Sequence, residues 1–457
     1  MATEPRHKPK PEAILALDPV EMRDRLAKGA LKVRDLAEAC IARIKAVEPE
    51  VLAWAWLEES YILAEADRLD VMRQAGRPIG PLHGMPIGIK DIIDTKKIQT
   101  ENGTPIDKGR VPTEDAVIVS RLKAAGALIM GKTVTTELAY LHPGKTRNPY
   151  NAAHTPGGSS QGSAAAVAAG MVPLAIGTQT GGSVIRPASY CGTVAFKPSF
   201  GLIPRTGVLP QSPSLDTIGV FAMSTAGAAM VADVLAGYDA GDTATEPCAP
   251  PRLFSTCQSK PPVRPTFAVL SAMPSAVELH PDMASAMAEL TEVLGDYAFE
   301  ITLPPLFDEA ATIRERINFA EMSKCYYGLE RRGGDHFSPE IRAAMEKGKD
   351  TLARDYISAL DWPGVLRSAL AEVFERCDAI ICPATPGPAP EGLGSTGPAI
   401  CNGLWTLCGV PVVNLPLFEA SNGLPMGLQV VGRMGDDGRL LRSANSLWKT
   451  LTEETES

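Results

Sequence analysis

The chain has 457 residues, of which 45% are hydrophobic and 21% charged, with a formal net charge of -9. This is the composition of a globular protein with ample chain for a large core, and it argues against disorder outside the ends. The acidic balance, with no basic run interleaved with aromatics, argues against a nucleic-acid surface, and the long uncharged run 159–185 is too broken by Gly, Ser, Thr, Gln and Pro for a bilayer helix.

The first ten residues, MATEPRHKPK, lead into no apolar run and do not read as a secretory signal. Asp18-Pro19 predicts a helix start, a cap followed by proline in the first turn. Val33, Leu36, Cys40, Ile44 and Val47 recur at helical spacing, and Glu48-Pro49 predicts the end of that helix. A polar helix is expected over Glu58–Gln74. Short apolar runs then take over. Met85–Ile89, Ala127–Met130 and Val172–Ile176 read as strands, and Thr133–Ala139 and the Ala-rich Gly162–Ala169 as helices. Asp239–Pro265, rich in Pro, Ala and Ser, reads as a surface connection. Further strands are expected at Phe267–Leu270, Ala379–Cys382, Val412–Leu417 and Gly427–Val431. Residues 278–376 read as a mostly helical insert that could cap a single domain. Strands alternating with helices predict a layered α/β fold with a mixed sheet.

Nine cysteines are scattered without a CxxC pair. An odd, dispersed set fits free thiols in a reducing compartment, hence the cytoplasm, better than disulfides or a zinc site.

Three segments carry chemistry. Gly84-Met-Pro-Ile-Gly-Ile-Lys90-Asp91 closes an apolar run with a lysine. At the surface this would be an ordinary strand-end lysine; buried, it would lose its proton more easily and could act as a base. His83 beside it reads as structural. Pro156-Gly-Gly-Ser159-Ser160-Gln-Gly-Ser163 is a Gly/Ser turn entering a helix, and without a following lysine it does not have phosphate-loop spacing. Thr178-Gln-Thr180-Gly181-Gly182-Ser183-Val-Ile-Arg186-Pro187 places a hydroxyl and several N–H groups after a strand, which suits an oxyanion hole. It lacks the spacing of a GxSxG elbow, and none of the six histidines has a serine-protease context.

Together the three segments resemble the amidase signature family, with Ser183 following Ser159 by 24 residues. The resemblance is dense over about 82–237 and resumes at Cys382-Pro383, Gly409–Leu417 and Gly423–Arg433. It implies the amidase signature fold, a large mixed central β-sheet covered on both faces by α-helices, in one domain of residues 1–457. It implies Ser183 as nucleophile, Ser159 as proton relay behind a cis Gly158–Ser159 peptide, and Lys90 as general base. The amides of Thr180, Gly181, Gly182 and Ser183 would hold the oxyanion. Ser160 would join the network or cap a helix.

Some positions depart from the family pattern. Gln179 stands where many members have Asp, Gln161 where Gly is frequent, and Arg186 one place later than is common. The variant is similar to amidases of small carboxylated amides, in which this arginine can bind a carboxylate; alternatively Arg186 ties loops together. Gln161, Met130, Tyr140, Ile185, Cys191 and Trp405 are pocket candidates by their proximity to the motifs or by family region.

The leading expectation is hydrolysis of a small amide, anilide, carbamate or ureido C–N bond. It involves no metal or organic cofactor and expects no nucleic-acid or membrane partner. A homodimer is an expectation by family analogy. The runner-up is the amidase component of a tRNA-dependent amidotransferase, which shares the triad but works with partner subunits. A non-catalytic binding or assembly protein of the same fold would be marked by loss of a triad member, and all three are present.

Overall fold

The computed structural model describes residues 14–270, 272–274 and 277–453, so the N-terminal segment MATEPRHKPK lies outside the described residues. Among the described residues eleven strands form one sheet: β1 (Trp54–Trp56), β2 (Pro86–Lys90), β3 (Leu128–Thr133), β4 (Leu174–Gln179), β5 (Val194–Lys197), β6 (Thr217–Ala222), β7 (Phe267–Val269), β8 (Ala298–Glu300), β9 (Ala379–Pro383), β10 (Val412–Glu419) and β11 (Pro425–Val431). Their order is β1-β3-β2-β4-β6-β5-β10-β11-β9-β7-β8. The β3-β2-β4 and β9-β7-β8 groups are parallel, and the remaining pairs are antiparallel. Every residue of β2, β3, β4, β5 and β6 is buried. Strands hidden on both faces must be covered on both faces, which is the expected α/β sandwich of helices around a mixed sheet.

The N-terminal helices follow their sequence signals. Asp18 caps the helix Pro19–Lys28, its carboxylate accepting from the Val20 amide. The stripe Val33, Leu36, Cys40, Ile44 and Val47 is buried. The helix does not end at Glu48-Pro49, however, but runs from Val33 to Val51. Proline removes only one N–H bond, buried Val51 prolongs the apolar stripe, and the Glu48 carboxylate accepts the amides of Ala53 and Trp54 beyond the turn. The expected helix at Thr133–Ala139 is reduced to one distorted 3-10 turn at Glu137–Ala139. β3 extends to Thr133, and Leu138 and Ala139 adopt left-handed backbone at φ 47° and 59°. Tertiary bonds impose this: the Leu138 amide donates to Asn102, and the Tyr326 hydroxyl donates to the Leu138 carbonyl.

Strands β1, β5, β6 and β8 had no clear signal in the sequence. β8 lies inside the segment expected to be a helical insert and joins the sheet edge. The later helices of that segment, among them Ala310–Cys325 and Pro339–Lys349, gather around a separate apolar cluster of Leu138, Met322, Tyr326, Phe337, Ile341 and Met345. Among the described residues no helix is long and apolar enough to cross a membrane, and none of the nine cysteines is joined in a disulfide.

Candidate active site

Lys90 is the last residue of β2, between β3 and β4. A side chain leaving a strand covered on both faces cannot reach water, and Lys90 is 0% exposed. Its Nζ lies 2.7 Å from Ser159 Oγ and 2.8 Å from Thr178 Oγ1. Burial holds its pKa well below the ordinary lysine value, and the negative charge of Asp216 opposes that shift. The separation from Ser159 serves either direction: a charged lysine donates, and a neutral one accepts.

Ser159 follows a cis Gly158–Ser159 peptide. Gly157 turns the chain there at φ 80°, and a Cβ on it would stand 2.8 Å from Pro187 Cα, so only glycine fits. The Gly158 carbonyl accepts from Arg186 Nε and Nη2 at 3.2 and 2.6 Å, and Arg186 Nη1 donates to the Gly397 carbonyl. The buried guanidinium is thus engaged by backbone, the loop-tying alternative for this residue. Ser160 does not cap the helix Gln161–Ala168; its hydroxyl bonds the amide and carbonyl of Thr178, stapling this loop to β4.

The loop Thr180–Ser183 after β4 is anchored from three sides. Gln179 Oε1 accepts the amides of Val184 and Ile185, and its Nε2 donates to Thr406 Oγ1. Thr406 donates in turn to the Gly181 carbonyl at 2.6 Å. Thr180 Oγ1 donates to Asp216. Gln179 therefore holds the first amides of the helix Ile185–Cys191 with an uncharged side chain. Among the described residues no acceptor binds the amides of Gly181, Gly182 or Ser183. Ser183 is 8% exposed, and its hydroxyl is free of hydrogen bonds to the described residues.

The other pocket candidates separate. Met130 and Ile185 are fully buried in the main core, as is Trp405. Cys191 is buried and donates to the Pro156 carbonyl. Gln161 is buried beside Gly144, its Nε2 without a partner. Tyr140 is partly buried, and burial pushes its pKa up to about 12 against the opposing charge of Arg314.

Three residues near the site carry no local signal in the sequence. Asp216 accepts from Thr180 and from the amides of Gln211 and Ser212, and burial raises its pKa to about 6. It borders a cavity of about 320 Å³ that reaches Thr178 and Thr180. Glu321, on the helix Ala310–Cys325, accepts from the hydroxyls of Ser212, Ser214 and Tyr356 and so holds the loop that carries Asp216. Arg314, on the same helix, reaches the Gly181 loop. Only the spatial neighbourhood finds them.

A family model described as Amidase matches residues 35–441, and the chain belongs to that family, the amidase signature family its motifs resemble. Among curated relatives it is 34% identical to a component of the glutamyl-tRNA(Gln) amidotransferase of Chloroflexus aurantiacus, covering 94% of this chain and 95% of that one. Among solved structures it is similar to a protein complex described as revealing the evolutionary origins of an s-triazine catabolic enzyme, with 29% identity, a TM-score of 0.88 and coverage of 95% and 98%. It is also similar to native peptide amidase from Stenotrophomonas maltophilia, with 28% identity, a TM-score of 0.80 and coverage of 96% and 97%. The curated relative bears the runner-up function of the sequence reading rather than the leading one.

Proposed function

We propose that the chain hydrolyses the C–N bond of a small carboxamide, or a related anilide or carbamate, through a covalent acyl-Ser183 intermediate, acting as a single cytoplasmic domain. The observation that carries this reading is the fully buried Lys90 Nζ at 2.7 Å from Ser159 Oγ, beside the Ser183 loop. Neutral Lys90 takes the Ser159 proton, and Ser159 takes that of Ser183 as Ser183 Oγ attacks the carbonyl carbon. The resting geometry has no Ser183–Ser159 hydrogen bond, so substrate binding must bring the two hydroxyls together. The oxyanion meets the amides of Thr180, Gly181, Gly182 and Ser183. Collapse breaks the C–N bond, and the proton returns through Ser159 to the leaving nitrogen. Water then attacks the ester along the reverse path, releasing the acid and free Ser183.

A second reading is favoured by the curated relatives: the amidase component of a tRNA-dependent amidotransferase, in which the same chemistry releases ammonia for a partner. One experiment separates the two. An aliphatic amide, an anilide, an aryl carbamate, malonamate and glutamine are offered to wild type and to Ser183→Ala, with co-purification scored in parallel. Turnover of any member by the isolated chain, abolished in Ser183→Ala, supports the hydrolase. Glutamine turnover that needs co-purified subunits supports the amidotransferase. If nothing is turned over and a fluorophosphonate probe leaves Ser183 unlabelled, both readings fail.

A further inference from the structure

Two guanidinium groups stand close enough to the site for one to feel the charge of the other, and they are used differently. Each nitrogen of Arg186 donates to a backbone carbonyl, that of Gly158 or Gly397. Arg314 comes from the helix Ala310–Cys325, far along the chain, and lies across the Ser183 loop. A Cβ on Gly181 would stand 3.3 Å from its Nη1, and one on Gly403 would stand 2.8 Å from its Nε. Among the described residues it makes no hydrogen bond, and its one ion pair is a loose 3.8 Å contact to its chain neighbour Glu315. Its side chain is 18% exposed. A largely desolvated guanidinium without an acceptor is unfavourable until an anion supplies one, and its planar fork matches a carboxylate.

We propose that Arg314 is the specificity-determining residue of this site and binds a carboxylate of the substrate. The substrate class is then the monoamide of a short dicarboxylic acid. Gly181 is two residues from Ser183, so at most roughly 7 Å of backbone separates them, and the carboxylate stands only a few bonds from the scissile carbonyl. The inference deepens the proposed amide chemistry and rests on it for the reaction, but binding can be read without turnover.

The test compares succinamate with neutral butyramide on wild type, Arg314→Ala and Arg314→Lys, and measures succinate binding by calorimetry. Arg314→Ala should lower kcat/KM for succinamate about 10–100-fold, through KM, with a much smaller loss on butyramide and Arg314→Lys intermediate. Succinate should bind wild type and not Arg314→Ala. Equal losses on both amides, or no loss on succinamate, overturn the proposal. If the alanine variant does not fold, the lysine variant decides by the same comparison. If wild type hydrolyses neither amide, succinate binding that depends on Arg314 upholds the arginine while the catalytic reading falls. Wild type that neither binds succinate nor prefers succinamate to butyramide overturns the arginine and leaves the triad standing.

Discussion

A lysine can serve as a base only if something keeps it neutral, and for the base proposed here, Lys90, that is the removal of water from the end of β2. Burial lowers the Lys90 pKa, and Asp216 pulls it partly back up. The neutral fraction rises with pH through the Lys90 pKa, so under the proposed mechanism that pKa sets the acidic limb of kcat/KM. Asp216→Asn removes the opposing charge and keeps an acceptor for Thr180. The limb should therefore move to lower pH in a pH–rate profile. Because Asp216 itself has a pKa of about 6, wild type and variant should converge below that pH. An unmoved or raised limb would separate Asp216 from the base. Lys90, Ser159 and Ser183 could be singled out in the sequence because their motifs are local and specific, and the fold brings Lys90 to Ser159. Asp216 was not, because an acid before a strand looks like any other until folding places it beside Thr180.

At the scale of single elements, the loops around the site are held by side chains from other segments. Arg186 is one such tie. In Arg186→Ala the carbonyls of Gly158 and Gly397 lose a buried donor, at a cost of about 1–3 kcal/mol each. The expected result is a lower thermal midpoint with equal losses on neutral and carboxylated amides. A loss confined to carboxylated amides would instead give Arg186 a substrate role. The same dependence on distant partners explains why Thr133–Ala139 read wrongly. Nothing in Leu138-Ala139 announces left-handed backbone; the bonds from Leu138 to Asn102 and from Tyr326 impose it. Pro49 misled in the opposite sense, since a proline near a helix end is tolerated where burying Val51 favours another turn.

Across the molecule, the site depends on one sheet drawn from nearly the whole chain. Apolar runs bounded by turn residues revealed seven of its strands. β6 escaped because Thr217-Ile-Gly-Val-Phe-Ala mixes a glycine and a threonine into the run, although all six residues are buried. Phe221 on β6 packs under β4, with its Cε2 where a Cβ on Gly177 would stand 2.7 Å away. Phe221→Ala should cost about 3–5 kcal/mol, read as a lower denaturant midpoint, while the protein that remains folded keeps its pH–rate profile. A changed profile would mean that the strand tunes the base rather than only supporting it.

The helix Ala310–Cys325 carries Arg314 at one end of its reach and Glu321 at the other, the first against the Gly181 loop and the second on Ser212 and Ser214. Both side chains hang on one continuous helix, so any shift of it acts as a lever with two loads. Sliding it to admit a longer substrate drags the segment whose amides hold Asp216. Selectivity and acidity dependence are geared together, and an enzyme reshaped toward a new amide by moving this helix inherits a new pH range with it.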